Sequence, residues 1–292
     1  MTGGSKKKRP DWLKISLPFD TSHHKMSDRV KDQIREVELK TVCEEASCPN
    51  RNRCWSSGTA TFLILGERCT RNCRFCNIQP GKPNPPDPNE PNNTAIAVRA
   101  LNLKHAVITS VTRDDLVDGG SGQYVKVIHA VKKMNPNTTI EVLIPDFKAD
   151  QNLIDAVLDS GPDIVNHNVE TVPSLYSLVC PQSSYKNSLS VLEYASSRGF
   201  LTKSGLLIGL GEKLEEVHEL LKNLVNCGVQ MVTIGQYLQP SSDNIPVSNY
   251  IEPLVFENLK NYALSLGFLS VESAPFVRSS YHAEKSLFHT KK

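Results

Sequence analysis

Six of the eight cysteines in this 292-residue chain fall between Cys43 and Cys76. Three of them, Cys69, Cys73 and Cys76, are spaced C-x3-C-x2-C just after a short apolar run from Thr61 to Leu65. Three thiolates on one tight loop can each hold one iron of a 4Fe-4S cube and leave the fourth iron without a protein ligand. An open metal position is where chemistry can happen. A zinc knuckle or a redox thiol pair would use the same residues, but zinc sites close with four ligands and no fourth is adjacent.

Upstream, Cys43, Cys48 and Cys54 form a second triplet with a different spacing, C-x4-C-x5-C. The difference predicts a separate site and not a repeat. Again three thiolates lack a nearby fourth ligand. No apolar run approaches bilayer length, and Met1 to Lys14 lack the uninterrupted apolar stretch of a secretory signal, so a cytoplasmic protein is expected. Thiols there stay reduced, and their crowding asks for a metal. Cys180 and Cys227 read as ordinary free cysteines and are assigned to no metal.

The elements that position these loops follow from patterning. With 39% hydrophobic and 22% charged residues, the chain has ordinary globular composition, and one large domain is the starting expectation. A formal net charge of +2 gives no pull toward nucleic acid or a membrane surface. Short apolar runs at Thr61–Leu65, Ala106–Thr109, Ile140–Ile144, Ile164–Asn168, Leu201–Ile208 and Met231–Ile234 predict strands. Helices are predicted between and after them, at 94–103, 123–134, 152–158, 188–197, 214–225 and 253–266. Six β/α units predict a partial (β/α)6 TIM-like barrel with one open side, although a doubly wound sheet would read alike. The division is an N-terminal arm with the upstream triplet (1–60), the barrel core (61–270) and a C-terminal tail (271–292). In the arm, Lys6 to Arg9 form a basic cluster read as a solvated tail, with contact to an acidic protein as the sharper alternative. Apolar residues are sparse there beyond Trp12, Leu13, Ile15 and Leu17. The proline-rich stretch from Gln79 to Pro91 is read as a surface linker, because proline removes backbone donors and fixes the chain as extended.

The downstream triplet, with Phe75 before its last cysteine, resembles the signature of the radical S-adenosylmethionine superfamily. The resemblance implies that the cofactor's amino and carboxylate groups chelate the open iron, and that one-electron reduction yields a 5'-deoxyadenosyl radical. The pair of triplets, with Arg278-Ser279-Ser280-Tyr281-His282-Ala283 near the end, resembles the lipoyl synthase family more specifically. Matching blocks run from Arg9-Pro10-Asp11-Trp12-Leu13 through Thr112–Leu116, Asp118–Gly120, Leu143–Asp146, Asn166–Thr171 and Lys203–Glu212.

That resemblance implies a sulfurtransferase with two 4Fe-4S clusters and S-adenosylmethionine. Cys69, Cys73 and Cys76 would hold the radical cluster; Cys43, Cys48, Cys54 and Ser280 would hold the auxiliary one. Cys69, Cys73, Cys76 and Ser280 are the expected catalytic set. Two radical cycles would insert sulfur at C6 and C8 of an octanoyl group linked to a lysine. The expected partners are octanoylated lipoyl-carrier domains, namely 2-oxoacid dehydrogenase E2 subunits and the glycine cleavage H protein. An electron donor such as ferredoxin or flavodoxin and an iron-sulfur carrier protein complete the set, with no nucleic acid and no membrane. Phe75, Asn168, Glu170, Lys203, Gly209 and Gly211 are the candidates for binding the cofactor. Asn168, Glu170 and Lys203 offer polar groups at strand ends, and buried contacts stabilising the barrel mouth are the alternative for each. Gly209 and Gly211 could admit close backbone approach, as could any strand-to-helix turn. One departure is Cys180, where the family commonly has an arginine before the proline; Lys186 is the candidate substitute donor. Rival readings are a biotin-synthase-like or methylthio-transferring radical enzyme, and a non-catalytic zinc or electron-transfer protein.

Overall fold

In the arm, polar sequence still folds where a few apolar residues share a face. Helix α1 (Thr21–Glu36) buries Val30 and Ile34 completely, one turn apart. It is followed by strand β1 (Lys40–Thr41), helix α2 (Val42–Glu45) and helix α3 (Arg51–Ser56). The computed structural model describes residues 8–14, 21–56 and 61–281, with the backbone alone for 21–27 and 29. Lys6, Lys7, Ile15, Leu17, His282 and Ala283, singled out from sequence, lie outside the described residues.

The core begins with β2 (Thr61–Ile64), β3 (Arg68–Cys69) and β4 (Gln79–Pro80). It continues as α4 (Glu90–Ala100), β5 (His105–Ser110), α5 (Ser121–Met134), β6 (Thr139–Leu143), α6 (Gln151–Asp159) and β7 (Ile164–Asn166). Then come α7 (Tyr176–Val179), α8 (Tyr185–Ser197), β8 (Leu201–Ile208), α9 (Leu214–Asn226), β9 (Met231–Gln236), α10 (Pro253–Ser265) and β10 (Ser270–Ser273).

The strands form one eight-stranded sheet in the order β1-β2-β5-β6-β7-β8-β9-β10, with a separate β3-β4 pair. Every pairing in the large sheet is parallel except β1 with β2. Each core strand lies beside its successor with helix between, which is the sequence order of a β/α barrel. Its edge strands β1 and β10 are not paired with each other among the described residues, so the arc stays open. The helices close the outer layer by apolar stripes: α9 buries Val217, Leu220, Leu221 and Leu224, spaced for one helical face.

Three details differ from the sequence reading. Helix α1 was not expected, because its apolar face is only one residue wide per turn. Strand β10 adds a parallel strand at the border of the expected tail; only Val271 among its four residues is buried, so it carries no apolar run. The proline stretch is not wholly irregular. Gln79–Pro80 pairs with Arg68–Cys69, and Pro91 sits in the first turn of α4, where its missing N–H costs no helical hydrogen bond.

Candidate active site

A cavity of about 970 Å³ opens along the inner face and carboxyl ends of the strands. That is the upper end of the range for small-molecule sites. Both cysteine triplets line it, together with Phe75, Asn168, Glu170 and Ser280.

The downstream loop is tied on every side. Arg71, between Cys69 and Cys73, uses all five guanidinium N–H groups. Its Nε and Nη2 donate to Asp114 at 2.7 and 3.0 Å, Nη1 and Nη2 to Asp146 at 2.9 and 2.7 Å, and Nη1 to Ser183 at 3.2 Å. Burial opposes its charge, but the two carboxylates outweigh burial and raise its pKa. Thr70 Oγ1 donates to the Thr112 carbonyl at 2.9 Å and accepts from the Asp114 N–H at 3.0 Å. The Arg74 N–H donates to the Val179 carbonyl, and Asn244 Nδ2 donates to the Cys76 carbonyl, at 2.9 and 2.8 Å. The Cys69 sulfur accepts two backbone N–H groups, from Arg71 at 3.4 Å and Thr112 at 3.3 Å. Hydrogen bonds of this kind tune a cluster bound to the sulfur.

The upstream triplet rests on two short helices. Cys43 lies in α2, whose N-cap Thr41 hydroxyl accepts the Glu44 N–H at 3.3 Å; Cys54 lies in α3, and Cys48 on the turn between. The C-terminal segment closes the site from the other side. Asn50 Nδ2 donates to the Phe276 carbonyl at 2.5 Å, the Gln236 N–H to the Pro275 carbonyl at 3.1 Å, and Asn168 Nδ2 to Ser279 Oγ at 2.7 Å. Thr61 Oγ1 donates to Ser280 Oγ at 2.9 Å. Two strand glycines make room for this tail. A Cβ on Gly235 would collide with the Val277 carbonyl, and one on Gly205 would come within 2.7 Å of Asn168 Oδ1 and 3.0 Å of Ser279 Oγ.

The donor set fits iron-sulfur clusters in two respects. Burial pushes the Cys76 thiol up to about 12 and Cys43 up to about 11, so neither ionises near neutrality without a cation to hold. The Trp55 indole N–H is buried with no partner of its own and reaches toward Cys43, a donor that a metal-bound thiolate would satisfy. Among the described residues no three Cys, His, Asp or Glu side chains converge as around a single ion. A cube spreads its thiolates farther, since several irons and sulfides lie between them.

The structure brings Asn168 and Glu170 to the cavity but leaves Lys203, Gly209 and Gly211 out of its lining. Lys203 is 2% exposed and its Nζ lies 3.0 and 3.1 Å from the two oxygens of Glu141, which is fully buried. Asn166 Nδ2 donates to the same carboxylate at 2.9 Å, and His105 Nε2 lies 3.5 Å from it. Burial alone would raise Glu141, but Lys203, His105 and Asn166 outweigh it and pull it down to about 2. Lys203 is therefore an interior counter-ion inside the barrel. The N–H groups of Gly209, Leu210 and Gly211 are likewise taken by the Glu212 carboxylate, at 2.6, 2.9 and 3.1 Å. Glu170 is different: burial lifts it to about 7, an Asn168 hydrogen bond acting in the opposite sense, and its φ of 62° lies in the left-handed region that non-glycine residues adopt infrequently. Lys186 is exposed and away from the cavity, while Cys180 is buried and hydrogen-bonded to Cys73. Sequence reasoning missed Arg71, Asp146 and Thr61, although the block Leu143–Asp146 had been singled out.

Similarity to known proteins bears on the family and the fold. Residues 63–224 match the model of the radical SAM superfamily, and residues 1–48 that of the N-terminal domain of lipoyl synthase of the Radical_SAM family. The chain is 49% identical over 279 residues to lipoyl synthase of Leptospira interrogans serogroup Icterohaemorrhagiae serovar Lai, covering 96% of this chain and 93% of the relative. It is 52% identical over 281 residues to lipoyl synthase of Caldicellulosiruptor saccharolyticus, covering 96% and 97%. Among solved structures it is similar to methylornithine synthase, with a TM-score of 0.55 and 14% identity over 86% of this chain and 85% of that one. Coproporphyrinogen III oxidase of Escherichia coli has a TM-score of 0.54 and 13% identity over 76% and 57%. At such identities the structures speak to the fold alone. Two family models and relatives at about half identity over nearly the whole length establish that this chain belongs to the lipoyl synthase family, sulfurtransferases of the radical S-adenosylmethionine superfamily that use 4Fe-4S clusters and S-adenosylmethionine.

Proposed function

We propose that the two cysteine triplets divide one reaction, the insertion of sulfur at C6 and C8 of an octanoyl group carried on a lysine of a lipoyl-carrier domain. Cys69, Cys73 and Cys76 hold the radical cluster. Cys43, Cys48, Cys54 and Ser280 hold the auxiliary cluster. When bound, the first cluster with S-adenosylmethionine supplies a carbon-centred radical able to take hydrogen from an unactivated chain, and the second supplies sulfide.

The chain's own residues orient and enclose. The Arg71 clamp sets the radical-cluster loop before any cofactor arrives, which lowers the reorganisation left for binding. Phe75, Asn168 and Glu170 face the cofactor across the cavity. The tail, held by Asn50, Gln236 and Asn168, brings Ser280 to the auxiliary site. The observation that carries this reading is that both triplets and Ser280, far apart in the chain, line one cavity.

The division of the chain into arm (1–60), core (61–270) and tail (271–292) follows the same reading. E2 subunits and H protein are the proposed carriers, a ferredoxin or flavodoxin the reductant, and an iron-sulfur carrier protein the source of clusters. All eight cysteines are free and no helix among the described residues is long and apolar enough to cross a membrane, which suits a cytoplasmic location. The test is anaerobic incubation of variants with an octanoylated carrier domain, reductant and S-adenosylmethionine. Cys43→Ala is expected to form 5'-deoxyadenosine without lipoyl product, and Cys73→Ala neither. Full product from Cys43→Ala would overturn the division.

A further inference from the structure

Thr61 is the first residue of β2 and is only 3% exposed. It is fixed in the sheet opposite Val107 of β5. Its backbone N–H reaches the sulfur of Cys43, and its hydroxyl donates to Ser280 Oγ at 2.9 Å. One rigid strand residue therefore touches the first and the last of the proposed auxiliary ligands, which are separated by most of the chain.

We propose that Thr61 is a positioning residue for the auxiliary cluster, its hydroxyl holding the Ser280 oxygen where the fourth iron meets it. The inference rests on the reading of Ser280 as a ligand. A serine oxygen bound to iron has given up its proton and can only accept, so the direction of the hydrogen bond is fixed: Thr61 donates. The bond becomes charge-assisted, and charge-assisted bonds are shorter and stronger than neutral ones. Strand β2 is anchored on both sides, by β1 and β5, whereas Ser280 rides on the tail. Thr61 thus transfers the rigidity of the sheet to the one ligand that lacks it. Outer partners of metal ligands set affinity by about 10-fold to 100-fold, and Thr61 is the partner of the oxygen ligand as Trp55 is of Cys43.

The test uses the full chain with Cys69, Cys73 and Cys76 replaced by alanine, so that the auxiliary cluster alone is loaded with iron-57 and sulfide. The readouts are the rate of iron extraction by a chelator and the Mössbauer signature of the oxygen-ligated iron. Thr61→Val keeps the shape and removes the donor; it is expected to speed extraction about tenfold and shift the unique-iron signal. Thr61→Ser keeps the donor and is expected to stay near the parent. In a Ser280→Cys background, where sulfur replaces the oxygen and accepts hydrogen bonds weakly, Thr61→Val is expected to change little. Equal acceleration there would mean that Thr61 only supports the fold, and the inference fails. Parent-like extraction from Thr61→Val with rapid loss from Ser280→Ala also overturns it, while leaving Ser280 as a ligand. If Ser280→Ala itself extracts like the parent, the ligand assignment falls first.

Discussion

The two cysteine segments share a cavity but are held in opposite ways. The Cys69–Cys76 loop is tied by side chains and backbone to the segments after β5, β6 and α7, and its buried guanidinium leaves no N–H unused. The Cys43–Cys54 segment rides on helices of 4 and 6 residues, too short to stand alone, and is closed by the tail. The contrast matches the chemistry. A cluster that must return unchanged after each electron benefits from a loop already set, whereas a cluster that gives up its sulfide needs a site that can open.

The largest expected effect breaks the first arrangement. Arg71→Ala leaves Asp146, whose side chain is 4% exposed, without its cation. Removing one partner of a buried pair costs about 3–5 kcal/mol, to be read from urea unfolding of the cluster-free chain. Iron in the reconstituted protein should fall from about eight to about four per chain. Equal loss from both sites would erase the contrast.

The barrel interior gives a reference that should respond to neither cluster. Glu141 is held down near 2 by Lys203, His105 and Asn166, against an ordinary value of 4.5. A depressed carboxylate contributes stability that is complete above about pH 4.5 and is lost as pH falls toward 2. The urea midpoint of the cluster-free chain should therefore drop across that window, and Glu141→Gln should flatten the drop while lowering the midpoint at neutral pH. An unchanged slope would show that the ion pair does not link to folding.

The smallest effect sharpens the upstream side. Asn50→Ala removes the tether to the Phe276 carbonyl, a loss of about 1 kcal/mol. Limited proteolysis should cut the tail sooner in this variant, with the radical cluster's absorbance and iron retained. A tail cut at the parent rate would mean that Gln236 and Asn168 suffice to hold it.

Much of this was legible in the sequence, and the failures have physical causes. Cysteine spacing pointed to two segments that the structure brings to one cavity, because thiolate geometry is local, and the apolar runs marked the barrel because a doubly covered parallel sheet needs buried faces. Lys203 kept two readings because a lysine in a strand reads the same whichever way it points; its register opposite Asn166 and its pairing with Glu141 favour the buried contact over the cofactor. For Gly209 and Gly211 the strand-to-helix turn that the sequence also allowed is what the structure describes, with the Glu212 carboxylate taking both amides. Arg71 was invisible because its carboxylate partners lie 43 and 75 residues away. Thr61 was invisible for the same reason, 219 residues from Ser280. Long-range partners of polar residues leave no periodic trace.

The entry of the tail beside Gly205 and Gly235 has a consequence for the order of events during biosynthesis. The radical-cluster loop can find Asp114, Asp146 and Ser183 while the later strands are still being translated. Ser280 emerges only after β10, so with Ser280 as the closing ligand the auxiliary site matures last, and a nascent chain halted before that point could carry the machinery for making radicals but no complete store of sulfur.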